Sequence, residues 1–171
     1  SASRCRSTFS QLFSRSPVTG ADMVRNATAG DISALIELGA RMYIESRYSQ
    51  NSPFDEEKCA ELARNLISSP AGCLLVAEKD GAVIGWLAGG IAEQWFSRQL
   101  MAFEYGLFIA QEHRGGTAGP RLAKAFITWA EEHGAAIINM GITTGVHEER
   151  TGDLYSRLGL SRTGLLYSKE V

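Results

Sequence analysis

A chain of 171 residues, 44% hydrophobic and 21% charged, has the size and composition of one globular domain with a substantial apolar core. Its formal net charge of −2 gives no general attraction to nucleic acid or to an anionic membrane, and no apolar run nears the ~20 residues of a membrane span or forms a signal-peptide core. Cys5, Cys59 and Cys73 are odd in number and far apart, which is no disulfide framework and suits a reducing cytoplasm. His113, His133 and His147 lack metal-ligand spacing.

Residues 1–22 are rich in Ser and Arg, with no acidic residue before Asp22, and Met23 opens a different stretch. They read as a leader or disordered arm, as a transit peptide, or as an arm docked on a partner; the domain proper is expected over 23–171. Thr28 and Asp31 have capping-box spacing ahead of Ile32, Leu35, Ile36, Gly39, Met42 and Tyr43, a series at helical period. After a loop with Pro53, a second helix runs from about Asp55 through Cys59, Leu62, Ala63, Leu66 and Ile67 until Pro70 and Gly72 stop it. The period then changes. A short apolar strand is expected over 73–78, a tight hairpin at Asp80-Gly81, and a second strand over 82–91, loosened by Gly85, Gly89 and Gly90. A loop with Trp95 and Phe96 leads to a third strand at about 100–109. A glycine-rich turn over 110–119 precedes a helix over 120–133, ended by Gly134. A strand over 136–142, a short helix over 149–158 closed by Gly159, and a last strand over 163–169 complete the chain. This order predicts a mixed α/β sheet with helices over its faces.

The chemistry-bearing feature is the passage from the strand ending Leu107-Phe108-Ile109, through Arg114-Gly115-Gly116-Thr117-Ala118-Gly119, into the helix at Pro120. Successive amides of such a turn point into one concavity, and the next helix adds its free N–H groups and positive dipole end. The result is a phosphate site, to which Arg114 and Arg121 can add charge-assisted bonds. A plain tight turn is the competing reading. A P-loop would need Lys-Ser/Thr where Pro120-Arg121 stands, and a dinucleotide fingerprint would open the first βαβ unit rather than follow three strands.

Over 24–171 the sequence resembles the GCN5-related N-acetyltransferases. Their cofactor signature, R/Q-x-x-G-x-G/A, is similar to residues 114–119, with Thr117 where the inner Gly is usual. A second block, Glu149-Arg150-Thr151-Gly152-Asp153-Leu154-Tyr155-Ser156-Arg157-Leu158-Gly159-Leu160, resembles the family's late helix, with Glu148 where Asn is frequent. Glu112-His113-Arg114-Gly115-Gly116, Trp95-Phe96-Ser97 and the run from Thr144 to Gly152 resemble a subset carried by bacteriophages and prophages.

The resemblance implies a mostly antiparallel sheet of about six to seven strands flanked by about four helices. It implies direct transfer of acetyl from acetyl-CoA, as co-substrate, to a primary amine. The cofactor-binding residues would be Leu107, Phe108, Ile109, Arg114, Gly115, Gly116, Thr117, Ala118, Gly119 and Arg121. Backbone amides at Leu107, Phe108 and Ile109 would also serve the oxyanion, and that strand edge would pair with pantetheine. Glu104 would be the base and Tyr155 the acid. A solvated strand carboxylate and a core tyrosine are the plain alternatives. His147 reads as a second base or a turn-holding loop residue, His113 as solvated, and Trp95 and Phe96 as acceptor-pocket lining or core cover. The acceptor stays open: a protein lysine or N-terminus, an aminoglycoside, a polyamine or another small amine. The competing function is a silent CoA-binding or structural component of a virion or other complex, or a homo-oligomer, docked through residues 1–22. A nucleotide-binding protein is a third reading.

Overall fold

The computed structural model describes residues 22–169. The expected N-terminal arm, apart from Asp22, lies outside the described residues. In chain order the elements are β1 (Met23–Asn26), α1 (Ile32–Glu45), α2 (Glu56–Ser68), β2 (Gly72–Lys79), β3 (Ala82–Gln94), β4 (Ser97–Ile109), α3 (Ala118–Glu132), β5 (Ala135–Asn139) and α4 (Glu148–Arg157). The described strands form one five-stranded sheet in the order β1-β2-β3-β4-β5. β1 to β4 pair antiparallel, and β5 joins β4 in parallel.

Both faces of the sheet are covered. Leu74 and Val76 of β2, with Trp86 of β3 and Phe108 of β4, pack against Leu35 and Leu38 of α1 and Leu66 of α2. Cys73, Leu75 and Ala77 point the other way, onto Leu122 and Phe126 of α3. Coverage on two sides explains why 73–77 reads as an unbroken apolar run and why all five residues are buried. Gly89 lets α3 approach: a Cβ there would lie 2.6 Å from the Phe126 ring and 2.7 Å from the Phe103 carbonyl oxygen. Asp80 and Gly81, with φ of 51° and 81°, make the expected hairpin between β2 and β3.

Three departures from the sequence reading have physical causes. β1 has no periodicity of its own; it exists because residues 23–26 pair with Glu78, Ala77, Val76 and Leu75. The strand expected over 136–142 ends at Asn139, where its pairing with β4 stops. The strand expected over 163–169 is absent. That segment has no strand partner among the described residues, and Leu165, Leu166 and Tyr167 stay 65%, 72% and 86% exposed. The sheet therefore has five described strands rather than six or seven.

The start of α1 is tied to the sheet edge. Asp31 accepts from the Thr28 amide at 2.7 Å and hydroxyl at 2.9 Å, the expected box. Arg25 of β1 grips both Asp31 oxygens at 2.8 Å and reaches Glu78 of β2 at 2.9 Å. Arg25 holds the Asp31 carboxyl well below the usual carboxylate range. Its stabilisation is therefore present above the unfolded-chain pKa of about 3.9 and fades as pH falls below it. Asp31→Asn should cost about 1–3 kcal/mol at pH 7, and less at pH 3, in urea unfolding. An equal loss at both pH values would contradict this account.

Candidate active site

The site begins where two strands stop pairing. β4 and β5 are in register from Leu100 opposite Ala135 to Phe103 opposite Asn139. β4 then continues alone to Ile109, leaving residues 104–109 with one open edge. A bulge marks the divergence. Gly89 pairs with Glu104 and Ala88 with Gly106, so Tyr105 is the extra residue. The strict alternation of side chains between the two faces of the strand therefore stops at Glu104. The open edge borders a cleft of about 470 Å³, closed by residues 141–147, by α4, by the turn after β4, and by Met42, Glu45 and Tyr48 opposite.

The turn after β4 is built to leave its amides free. One 3-10 turn, Gln111–His113, reverses the chain, with the Arg114 amide bonded to the Gln111 carbonyl at 3.2 Å. Gly115 then takes φ +92°, a conformation only glycine adopts cheaply. The amides of Gly115, Gly116, Thr117, Ala118 and Gly119 have no acceptor among the described residues. Arg121 is the next to bond, to the Thr117 carbonyl at 3.0 Å. Five free donors at the positive end of a 15-residue helix are what a pyrophosphate requires, so the residues present fit acetyl-CoA.

The expected binding residues divide. Leu107, Phe108, Ile109, Arg114, Gly115, Gly116 and Gly119 line the cleft. Thr117, Ala118 and Arg121 lie beside it: Ala118 is packed in the core, and the Thr117 hydroxyl donates to Asp22 at 2.9 Å. Arg121 donates to the Asp22 carbonyl. The Arg114 guanidinium is also engaged, with the Ile109 carbonyl at 2.8 Å, with Glu45, and over the Phe108 ring at 5.2 Å. It braces the turn against β4 and α1.

Glu104 and Tyr155 both line the cleft. Glu104 accepts the Gly141 amide at 2.9 Å through Oε1, while Oε2 is buried with no partner among the described residues. Burial pushes the Glu104 carboxyl up to about 7, and the Gly141 bond only partly offsets this. Tyr155 is 7% exposed, and its hydroxyl bonds to nothing among the described residues. Burial, and then the Glu104 charge, push its pKa above the usual tyrosine value, so it stays protonated.

His147 caps α4 in the left-handed region, at φ +50°, and its carbonyl accepts from the Thr151 amide and hydroxyl. It lines the cleft, as does His113. Trp95 and Phe96 do neither of the things expected of them. They stack edge to face at the exposed β3–β4 hairpin, 94% and 67% accessible, away from the cleft. The far mouth is shaped instead by the α1–α2 connection. There Tyr48 donates to Thr143 at 2.6 Å, and the Arg47 amide to the Thr144 carbonyl at 3.1 Å.

Sequence reasoning missed Gly141, Asp22 and Arg150. Arg150 left one signal: it sits in the first turn of α4 beside Glu148 and Glu149, where the helix dipole disfavours a cation.

The fold is shared with solved acetyltransferases. An aminoglycoside acetyltransferase from an uncultured soil metagenomic sample superposes with a TM-score of 0.67 at 22% identity, over 89% of this chain and 99% of that one. Glucosamine-6-phosphate N-acetyltransferase from Arabidopsis thaliana gives 0.69 at 13%, over 88% and 98%. A ribosomal-protein-alanine N-acetyltransferase from Brucella melitensis gives 0.67 at 16%, over 89% and 100%. No curated protein sequence matches the chain. The acetyltransferase (GNAT) family model matches residues 39–160, most of the length, and the chain belongs to that family as an acetyl-CoA-dependent N-acetyltransferase.

Proposed function

We propose that this cleft transfers acetyl directly from acetyl-CoA to a primary amine, with Glu104 as general base and Tyr155 as general acid. The reading is carried by one observation: an unpartnered Glu104 oxygen, buried in the same cleft as a protonated tyrosine and a turn of free amides. The 115–119 amides hold the pyrophosphate, and the open β4 edge over 104–109 receives the pantetheine arm as a strand would. This aligns the thioester with Glu104 and Tyr155 and confines the reaction to a largely desolvated gap.

Glu104 takes the proton from the ammonium, directly or through one water, because only the free amine has a lone pair for the thioester carbon. Amides at Leu107, Phe108 and Ile109 donate to the oxygen that becomes negative as the C–N bond forms. When the C–S bond breaks, Tyr155 gives its proton to the sulfur and is reprotonated by the proton that Glu104 took from the ammonium. Glu104 thus ends ionised, as it began, and the amine's second proton is shed to water as the amide forms.

The acceptor is a primary amine entering past Tyr48 and Thr143. The similar structures carry names with aminoglycoside, glucosamine-6-phosphate and ribosomal-protein acceptors, which supports an amine of some kind and no one of them in particular. A phage or prophage source and a cytoplasmic location rest on the sequence alone, and docking through residues 1–22 belongs to the competing reading.

Two outcomes test it, in a thiol-release assay against an amine panel. Glu104→Gln should lower kcat by about 10²-fold or more while the Kd for CoA stays unchanged. In the wild type, kcat/KM should rise with pH through about 7 as the Glu104 carboxyl ionises. The variant should lose that inflection and keep only the rise from the amine near ~10.4. A wild-type profile flat through neutral pH would remove Glu104 from the reaction. Tyr155→Phe should lower kcat by about 10²-fold, again with CoA affinity intact, and least for thioesters with good thiolate leaving groups. Full turnover by this variant would leave Tyr155 as a packing residue.

A further inference from the structure

The sequence offered two arginines, Arg114 and Arg121, to meet the cofactor's phosphates, and the structure sets both apart from a third, Arg150. Arg114, expected first, has its guanidinium turned back on the Ile109 carbonyl and Glu45. Arg121, expected second, is held by the Asp22 carbonyl and does not line the cleft. The same Asp22 takes the Thr117 hydroxyl, so both side chains that this end of the turn offers a phosphate are already engaged. Arg150 differs. Its Nη2 lies 3.5 Å from where a Gly115 Cβ would stand, on the cleft wall, and it forms no hydrogen bond or ion pair among the described residues.

Resting on the transferase reading above, we propose that Arg150 is the principal side-chain cation for the pyrophosphate of CoA. It would face the turn from α4 while the 115–119 amides bind from α3. Its position explains a local oddity. An arginine in the first turn of a helix opposes the dipole, and a diphosphate between two helix N-termini reverses that penalty. The acids around it fit the assignment. Glu148, Glu149 and Asp153 are on the same helix, and none of them pairs with Arg150, which keeps its donors for an incoming anion. Arg157 is the other guanidinium on the cleft that is unpaired among the described residues, but seven residues put it about 10 Å farther along α4. Gly115 keeps the turn close to Arg150: a Cβ there would touch the guanidinium, and at φ +92° any side chain would be strained.

CoA carries phosphate in two places, the pyrophosphate and the 3′-phosphate of its ribose, so the test uses CoA and dephospho-CoA, which lacks the latter. Calorimetric titration of the full chain should show Arg150→Gln weakening both ligands by about tenfold or more, with Arg150→Lys recovering part of the loss. Arg121→Gln should weaken both by less. The proposal is overturned if Arg150→Gln binds CoA as the wild type does, or if Arg121→Gln costs as much. It is also overturned if the loss is confined to CoA, because that would put Arg150 on the 3′-phosphate. An unchanged unfolding midpoint in Arg150→Gln shows that the loss belongs to binding. A wild type that binds neither ligand would sink the transferase reading itself, a result distinct from all of these.

Discussion

β4 outruns its parallel partner, and the site depends on that mismatch. A sheet edge inside a protein is normally paired or covered, because bare amides and carbonyls invite another strand. Here β5 stops at Asn139 while β4 runs to Ile109. The gap is closed by a helix and a loop, at a distance that leaves a cleft. Had β5 continued to 142, as its apolar residues suggested, residues 104–106 would have been paired and the Gly141 amide used in the ladder. That amide instead turns to the Glu104 carboxylate. The missing pairing thus creates an extended slot and supplies the bond that orients the carboxylate beside it.

The slot also sets the electrostatics. Glu104 is largely buried with one oxygen bare, and that burial, only partly offset by the Gly141 bond, raises its carboxyl to about 7. Tyr155 is buried close enough to feel the Glu104 charge, and moves upward too. Low dielectric thus pushes both groups the same way, with different consequences: a carboxyl that exchanges its proton near neutrality, and a phenol that keeps its own. Two groups whose affinities for a proton are set apart by environment form the working pair in acid–base chemistry. The arrangement destabilises the fold. A carboxyl with a raised folded pKa contributes most below its unfolded value, and loses that contribution as pH climbs through 7.

What the sequence made legible was local. Helical periods located α1 and α2, glycine stops marked the ends of α3 and α4, Asp80-Gly81 located the hairpin, and the glycine run located the turn of free amides, because each depends on residues within a few positions. What escaped was long-range. β1 is a strand only because β2 is beside it. The apolar pattern of 163–169 has no strand to meet among the described residues. The aromatic pair at 95–96 reads equally well as pocket lining or core cover, and it is neither, because the length of β3 and β4 places it at an exposed hairpin tip. The arginines are the sharpest case. Charge and proximity in sequence pointed to Arg114 and Arg121, yet partners 69 and 99 residues away hold them.

That redistribution divides the work at the turn. Backbone amides are fixed in place by the helix and by Gly115, cost no side-chain entropy, and cannot be neutralised by a neighbouring acid. They suit the permanent part of an anion site. A guanidinium can be diverted, and at this turn two are: Arg114 to bracing the strand, Arg121 to anchoring the chain ahead of β1. Thr117, in the place of a glycine, follows the same logic, because its hydroxyl joins Asp22 in fastening that chain to the helix start. The side chains that looked like ligands in sequence hold the cradle's shape, and the cradle's charge comes from peptide groups and from a helix that enters the site much later in the chain.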